Sequence, residues 1–155
     1  MSIDKVREYL KQFDADNRIL EFDESSATVA MAAHALGCEE ARIAKTLSFV
    51  VDGGCVLIVC AGDVKIDNSK YKAQFHTKAK MPAFEEVEAL CGHAVGGVCP
   101  FAVNDGVVVF LDESLRRFET VYPACGSSNS AIELTIHELE MFAKTDKWIK
   151  VCKSI

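Results

Sequence analysis

No run of eighteen apolar residues occurs in this 155-residue chain, so no helical membrane span is expected. The opening stretch "MSIDKVREYLKQF" lacks an apolar signal core, so export is not expected and a cytoplasmic location is. Basic charge is also scarce: 17 Lys and Arg face 23 Asp and Glu, for a formal net charge of -6. That balance argues against a dedicated nucleic-acid binder, which is normally basic. The seven cysteines are odd in number and form no paired framework, so they are read as reduced thiols.

Several chemical signatures are missing too. No CxxC-like pair marks a structural zinc site, although Cys91, His93 and Cys99 lie close in sequence and Cys125 follows; no metal is expected. "GHAVGG" matches neither the P-loop nor GxGxxG, and no stretch matches the GxSxG elbow. Cys99 or Cys125 could form a nucleophilic pair with His34, His76, His93 or His137, but the sequence brings none of them together. No cofactor is called for.

What remains is half apolar, enough for the core of one domain over residues 1–155. Ile3, Val6, Leu10 and Phe13 recur at helical spacing, with Ser2 as a candidate cap. "RILEF" (18–22) reads as a short strand. Residues 27–37 read as a helix capped by Thr28 and stopped by Gly37. "TLSFVV" and "CVLIVCAG" flank "DGG", a hairpin signal. Helices are expected after the Asp67 cap and over 83–92, the latter with Phe84, Val87 and Leu90 inward. Residues 107–111, 119–122 and 148–151 read as strands. "AIELT" reads as a strand entering a helix, with Thr135 and Glu138 as a capping box. The sum is an α+β fold with a mixed, partly antiparallel sheet of about six or seven strands, curled towards a barrel and surrounded by five helices.

Three features call for explanation. "GHAVGGVCPFA" (92–102) holds three glycines and no acid, lysine or arginine. Lys45 stands at the entrance of an apolar strand, where it either snorkels to solvent or acts as a fixed cation on a phosphate or carbonyl. Residues 65–80 carry Lys65, Lys70, Lys72, Lys78 and Lys80 against Asp67 alone. That run is either a solvated face or an anion-contact surface.

Taken together, "RIAKTLSFVV", "GHAVGGVCPFA", "LDESL" and "CGSSNSAIELTIHEL" resemble, in order and near spacing, the YbaK-like aminoacyl-tRNA deacylases. These are stand-alone relatives of the editing domain inserted in bacterial prolyl-tRNA synthetase. The resemblance covers roughly residues 20–145. It implies hydrolysis of the ester of a mischarged tRNA, such as tRNA-Pro carrying alanine or cysteine, by water with help from a substrate hydroxyl. It also implies Lys45, Gly96 and Gly97 as the catalytic set, and Pro100, Phe101, Gly126, Ser127, Ser128 and Asn129 as substrate-binding. Lys65, Lys70 and Lys72 are then the expected tRNA contacts, with prolyl-tRNA synthetase or another translation factor as a further partner. The chain departs from many relatives at Ala102, where glycine is common, at Ser127 and Ser128, and at Ala131, where some carry an acid. The amino acid therefore stays open. So do two other readings: a non-catalytic aminoacyl- or nucleotide-binding module of the same fold, and a small Cys/His hydrolase.

Overall fold

The computed structural model describes residues 2–155. Its spine is a long antiparallel hairpin. The chain first forms helix α1 (Ser2–Leu10), strand β1 (Leu20–Glu21) and helix α2 (Val29–Leu36). Thr28 caps α2 by accepting from the Met31 amide, and Gly37 ends it in the left-handed region. Strands β2 (Ile43–Val51) and β3 (Gly54–Ala61) then pair over eight residues. Asp52 and Gly53 between them both have positive φ, which matches the strand twist in a two-residue hairpin turn.

Strand β4 (Val64–Ile66) and helix α3 (Asn68–Phe75) follow, α3 being capped by Asp67 as the sequence indicates. Next come α4 (Val87–Cys91), β5 (Val108–Asp112), β6 (Thr120–Pro123), β7 (Ser130–Ala131), β8 (Leu134–Thr135) and α5 (Ile136–Ala143). Strands β9 (Trp148–Ile149) and β10 (Cys152–Ser154) close the chain. The central sheet has six strands in the order β8-β6-β2-β3-β5-β9, mixing parallel and antiparallel pairs. β1-β7 and β10-β4 form two small antiparallel ribbons beside it. This is the mixed α+β architecture that the element pattern implies.

β3 is covered on both faces, so residues 57–61 are fully buried, and its uninterrupted apolar run "CVLIVCA" is the sequence that such a strand needs. Six of the seven cysteines are buried, and all seven are free thiols, serving as small core residues.

Two local expectations change. The helix over 83–92 is shorter: residues 84–86 form a 3-10 turn and only 87–91 are α-helical. The tighter turn shifts the register, so Val87 is buried while Phe84 stands out in solvent. Ser2 lies inside α1, and its hydroxyl reaches the Gly92 carbonyl instead of capping the helix.

The Thr135–Glu138 capping box forms as read and is tied to the N-terminal region. Arg18 grips Glu138 through two contacts of 2.6 and 3.1 Å. That hydrogen bond, with the Thr135 amide, lowers the Glu138 pKa from 4.5 to about 2. A depressed carboxylate stabilises fully above its unfolded pKa and loses that contribution as pH falls towards the folded value. Glu138→Gln is therefore expected to lower the urea midpoint at pH 7. Its deficit against the parent should narrow as pH drops from about 5 towards 3, and a deficit that stays constant over that range contradicts the assignment.

Candidate active site

Residues 43–48 of β2, with Lys45 among them, line a cleft of about 390 Å³. Ala27, Val29 and Ala32, from α2 and the turn before it, form one wall. Met81, Pro82, Phe84 and Val87 form another, with Val95, Gly96 and Val98 beside them. Tyr122, Ala124, Ser130 and Ala131 add to the lining, as do Ser26 and Thr28. Lys45 is the one charged side chain among the described residues that line it.

The chain holds that cation in a defined way. The Lys45 ammonium donates to the Val64 carbonyl, and no carboxylate lies within ion-pair distance of it among the described residues. Neighbouring Asp63 is instead taken by Arg117, at 2.6 and 3.0 Å, which holds its carboxyl below the ordinary range. "LDESL" braces the same turn. Buried Asp112 accepts from the amides of Ser114 and Val151, both at 2.9 Å. The Ala61 amide, at the end of β3, donates to the Ser114 hydroxyl at 3.1 Å. Lys45 is thus a half-buried positive charge with no carboxylate partner among the described residues, the neighbouring Asp63 being held by Arg117. That arrangement favours an incoming anion or a carbonyl that gains negative charge.

The glycine-rich loop makes a turn over Ala94–Gly97, closed by the Gly97 amide on the Ala94 carbonyl at 3.0 Å. Gly96 is its third residue, with φ +96°, where a type II turn needs positive φ. Gly96 lines the cleft. Gly97 packs against the second loop: a Cβ there would lie 2.7 Å from the Gly126 carbonyl carbon. Its amide, already used in the turn, is not offered to a ligand.

His93 and Cys99 do meet, with Sγ 3.6 Å from Nε2, but both are fully buried. The His93 Nε2 lies 2.6 Å from the Phe101 carbonyl, so that nitrogen carries the proton and donates. Burial lowers the imidazole pKa and pushes the Cys99 thiol up to about 12. A neutral thiol and a neutral imidazole inside the core make no nucleophile at neutral pH. Among the described residues no three His, Cys, Asp or Glu side chains converge on a point that could hold a metal ion.

The family model for the aminoacyl-tRNA editing domain matches residues 23–142. The chain belongs to that family. This editing domain is 51% identical over 154 residues to "Uncharacterized protein YwhH" of Bacillus subtilis (strain 168), covering 99% of this chain and 98% of that one. It is 28% identical over 109 residues to the "Proline--tRNA ligase" of Geobacillus thermodenitrificans (strain NG80-2), covering 70% of this chain and 19% of the ligase. Among solved structures, it superposes on "a putative trans-editing enzyme for prolyl tRNA synthetase" with TM-score 0.88 at 27% identity, covering 99% and 98% of the two chains. It superposes on "hypothetical protein APE2540" with TM-score 0.84 at 30% identity, covering 96% and 99%.

The editing domain's second loop contributes less directly to the cleft than the motif reading implies. The Ser127 hydroxyl lies 2.7 Å from Ser130 Oγ and 3.0 Å from Asn129 Oδ1. The Asn129 amide donates to the Phe22 carbonyl at 3.0 Å, and the Ser128 carbonyl accepts from the Ser26 amide at 2.6 Å. These residues sew the loop to residues 22–26, while Ser130 and Ala131 face the cleft. Gly126 packs against α1, where a Cβ would meet the Ser2 carbonyl at 2.8 Å. Pro100 lies beside a different hollow, with Tyr9 and Val103, and Phe101 is fully buried in the core. Lys65, Lys70 and Lys72 stand on β4 and α3, away from the cleft lining. Lys70 donates to the Cys152 carbonyl at 3.0 Å.

Tyr122, Thr46 and Thr28 are cleft residues that motif reading overlooks. Tyr122 arrives by the parallel pairing of β6 with β2, opposite Ile43, a long-range contact with no local signal. Thr46 follows Lys45 directly. Its hydroxyl is buried without a partner among the described residues, which marks it for a ligand or water.

Ala102 sits in the left-handed backbone region that favours glycine. Its φ is +53°, a conformation that glycine adopts freely and alanine does not. Ala102→Gly is expected to stabilise the protein by about 1 kcal/mol, raising Tm by roughly 2–4 °C. A fall in Tm on thermal unfolding would contradict this.

Proposed function

We propose that the protein is a trans-editing aminoacyl-tRNA deacylase of the cytoplasm that hydrolyses the ester of a mischarged tRNA carrying a small amino acid. The observation that carries the reading is Lys45: a lone cation in a mostly apolar cleft of about 390 Å³, in a chain of the editing-domain family. An aminoacyl ester is already activated, so the site needs only to orient it, admit one water and stabilise the oxyanion. The water oxygen bonds to the carbonyl carbon, the bond to the ribose oxygen breaks, and the ribose oxygen leaves with a proton. A neighbouring ribose hydroxyl assists, which fits a cleft with no activated thiol.

In this reading Lys45 takes the developing negative charge. Thr46, Ser130 and Thr28 offer hydroxyls to the amino group or the water, and Gly96 lets the backbone approach the substrate. The apolar walls admit a small side chain, with discrimination of about 1–3 kcal/mol per methylene. Alanine or cysteine on tRNA-Pro is the first choice, on the likeness to the ligase segment. The test is a panel of purified mischarged tRNAs, beginning with Ala-tRNA-Pro and Cys-tRNA-Pro. Release of the amino acid from at least one supports the reading, and no release from any rejects it.

A further inference from the structure

We infer that the exposed apolar rim of the cleft is a stacking platform for the terminal base of an unpaired nucleic-acid 3′ end, with Phe84 as its centre. Phe84 is 74% exposed, Met81 59% and Val95 49%. All three line the same cleft as Lys45. Large apolar side chains scattered singly over a surface need no explanation, but three gathered at one mouth do.

The charges beside the rim choose the occupant. Lys78 and Lys80 are exposed and stand three and one positions before Met81. The Val50 amide donates to the Lys80 carbonyl at 2.8 Å, which ties this stretch to the end of β2. A flat apolar surface flanked by lysines is how proteins grip unpaired nucleic acid: bases stack on the aromatic ring and phosphates follow the cations. Glu85, Glu86 and Glu88 are exposed and follow Phe84 in sequence; they repel phosphate, so the strand enters past Lys78 and Lys80. Three side chains cover far less than the roughly 800 Å² per partner of a stable protein interface, but they suit one nucleobase. The ester that would be cleaved at Lys45 belongs, on the deacylase reading, to the nucleotide whose base rests on Phe84. The assignment to an aminoacylated end depends on that reading.

The probe is a short uncharged RNA ending in CCA, with the terminal adenine replaced by fluorescent 2-aminopurine. Binding is expected to quench it, and Phe84→Ala to weaken binding about tenfold or more, while Phe84→Trp preserves it. Because Phe84 is exposed, neither change should disturb folding, and Met81→Ala provides a second, milder variant. In deacylation assays Phe84→Ala should raise KM by a similar factor and lower kcat less. RNA binding that depends on Phe84, without hydrolysis of any aminoacyl-tRNA, keeps the platform and rejects the deacylase reading. Hydrolysis with KM unchanged in Phe84→Ala keeps the deacylase reading and overturns the platform. RNA affinity unaltered in Phe84→Ala, with or without a change in apparent mass on size exclusion, also overturns the platform.

Discussion

Lys45→Ala is expected to lower deacylation of the best mischarged tRNA by about a hundredfold, the usual loss when one donor to a developing oxyanion is removed. Most of the fall should appear in kcat, because the cation matters more as the carbonyl oxygen gains charge than while it is neutral. Folding should survive. Lys45 forms no ion pair among the described residues, and its ammonium reaches only the Val64 carbonyl, so its removal leaves no buried carboxylate uncompensated. Tm should stay within about 4 °C of the parent. Lys45→Arg keeps the charge but brings a planar, longer group that must displace the Val64 contact, so it should restore only part of the rate. Full activity in Lys45→Ala would remove this residue from the site.

The elements that carry Lys45 are legible because their signals are local. The Asp52–Gly53 turn, the Thr28 and Asp67 caps and the Thr135–Glu138 box each rest on residues within a few positions of one another, and each forms as the sequence indicates. The ribbon β10-β4 has no such signal. Its strands are three residues long and place Lys65 opposite Lys153, and they exist because the C-terminal segment is pinned by Asp112 and Asp67. The cleft divides the same way. Lys45 and Gly96 stand out by residue type against their surroundings. Tyr122, Ala131 and the Met81–Phe84 rim come together only through long-range pairing and a 3-10 turn that sequence spacing takes for α-helix. The serines and asparagine of the second loop have the chemistry of ligands, but their hydrogen bonds go to the loop itself and to residues 22–26.

Gly97→Ala is expected to destabilise the protein by about 3 kcal/mol, lowering Tm by roughly 6–12 °C, and to do more harm than Gly96→Ala. The two glycines are adjacent but serve different ends. Gly96 has φ +96° and open space: an added Cβ would lie 3.6 Å from Ser128 Cβ and 3.8 Å from Ala27 Cβ, which is ordinary contact. Its substitution therefore costs only backbone strain, of order 1–2 kcal/mol. Gly97 has no positive φ, so alanine suits its backbone. The obstacle is contact: the Cβ would lie 2.7 and 2.8 Å from the Gly126 carbonyl carbon and oxygen and 2.8 Å from the Ser127 nitrogen. All three are backbone atoms of a loop that is itself trapped, since Gly126 has no room against Ser2 and Val6 of α1. The second loop cannot retreat, so the first must move outward and take Gly96 and Val98 with it, widening the cleft beside Lys45. Activity should fall along with stability, and it should fall even at temperatures where the variant is fully folded. A Gly97→Ala variant that melts within about 2 °C of the parent, or one less damaged than Gly96→Ala, would show that the two loops are not locked together and that the cleft does not owe its width to their contact.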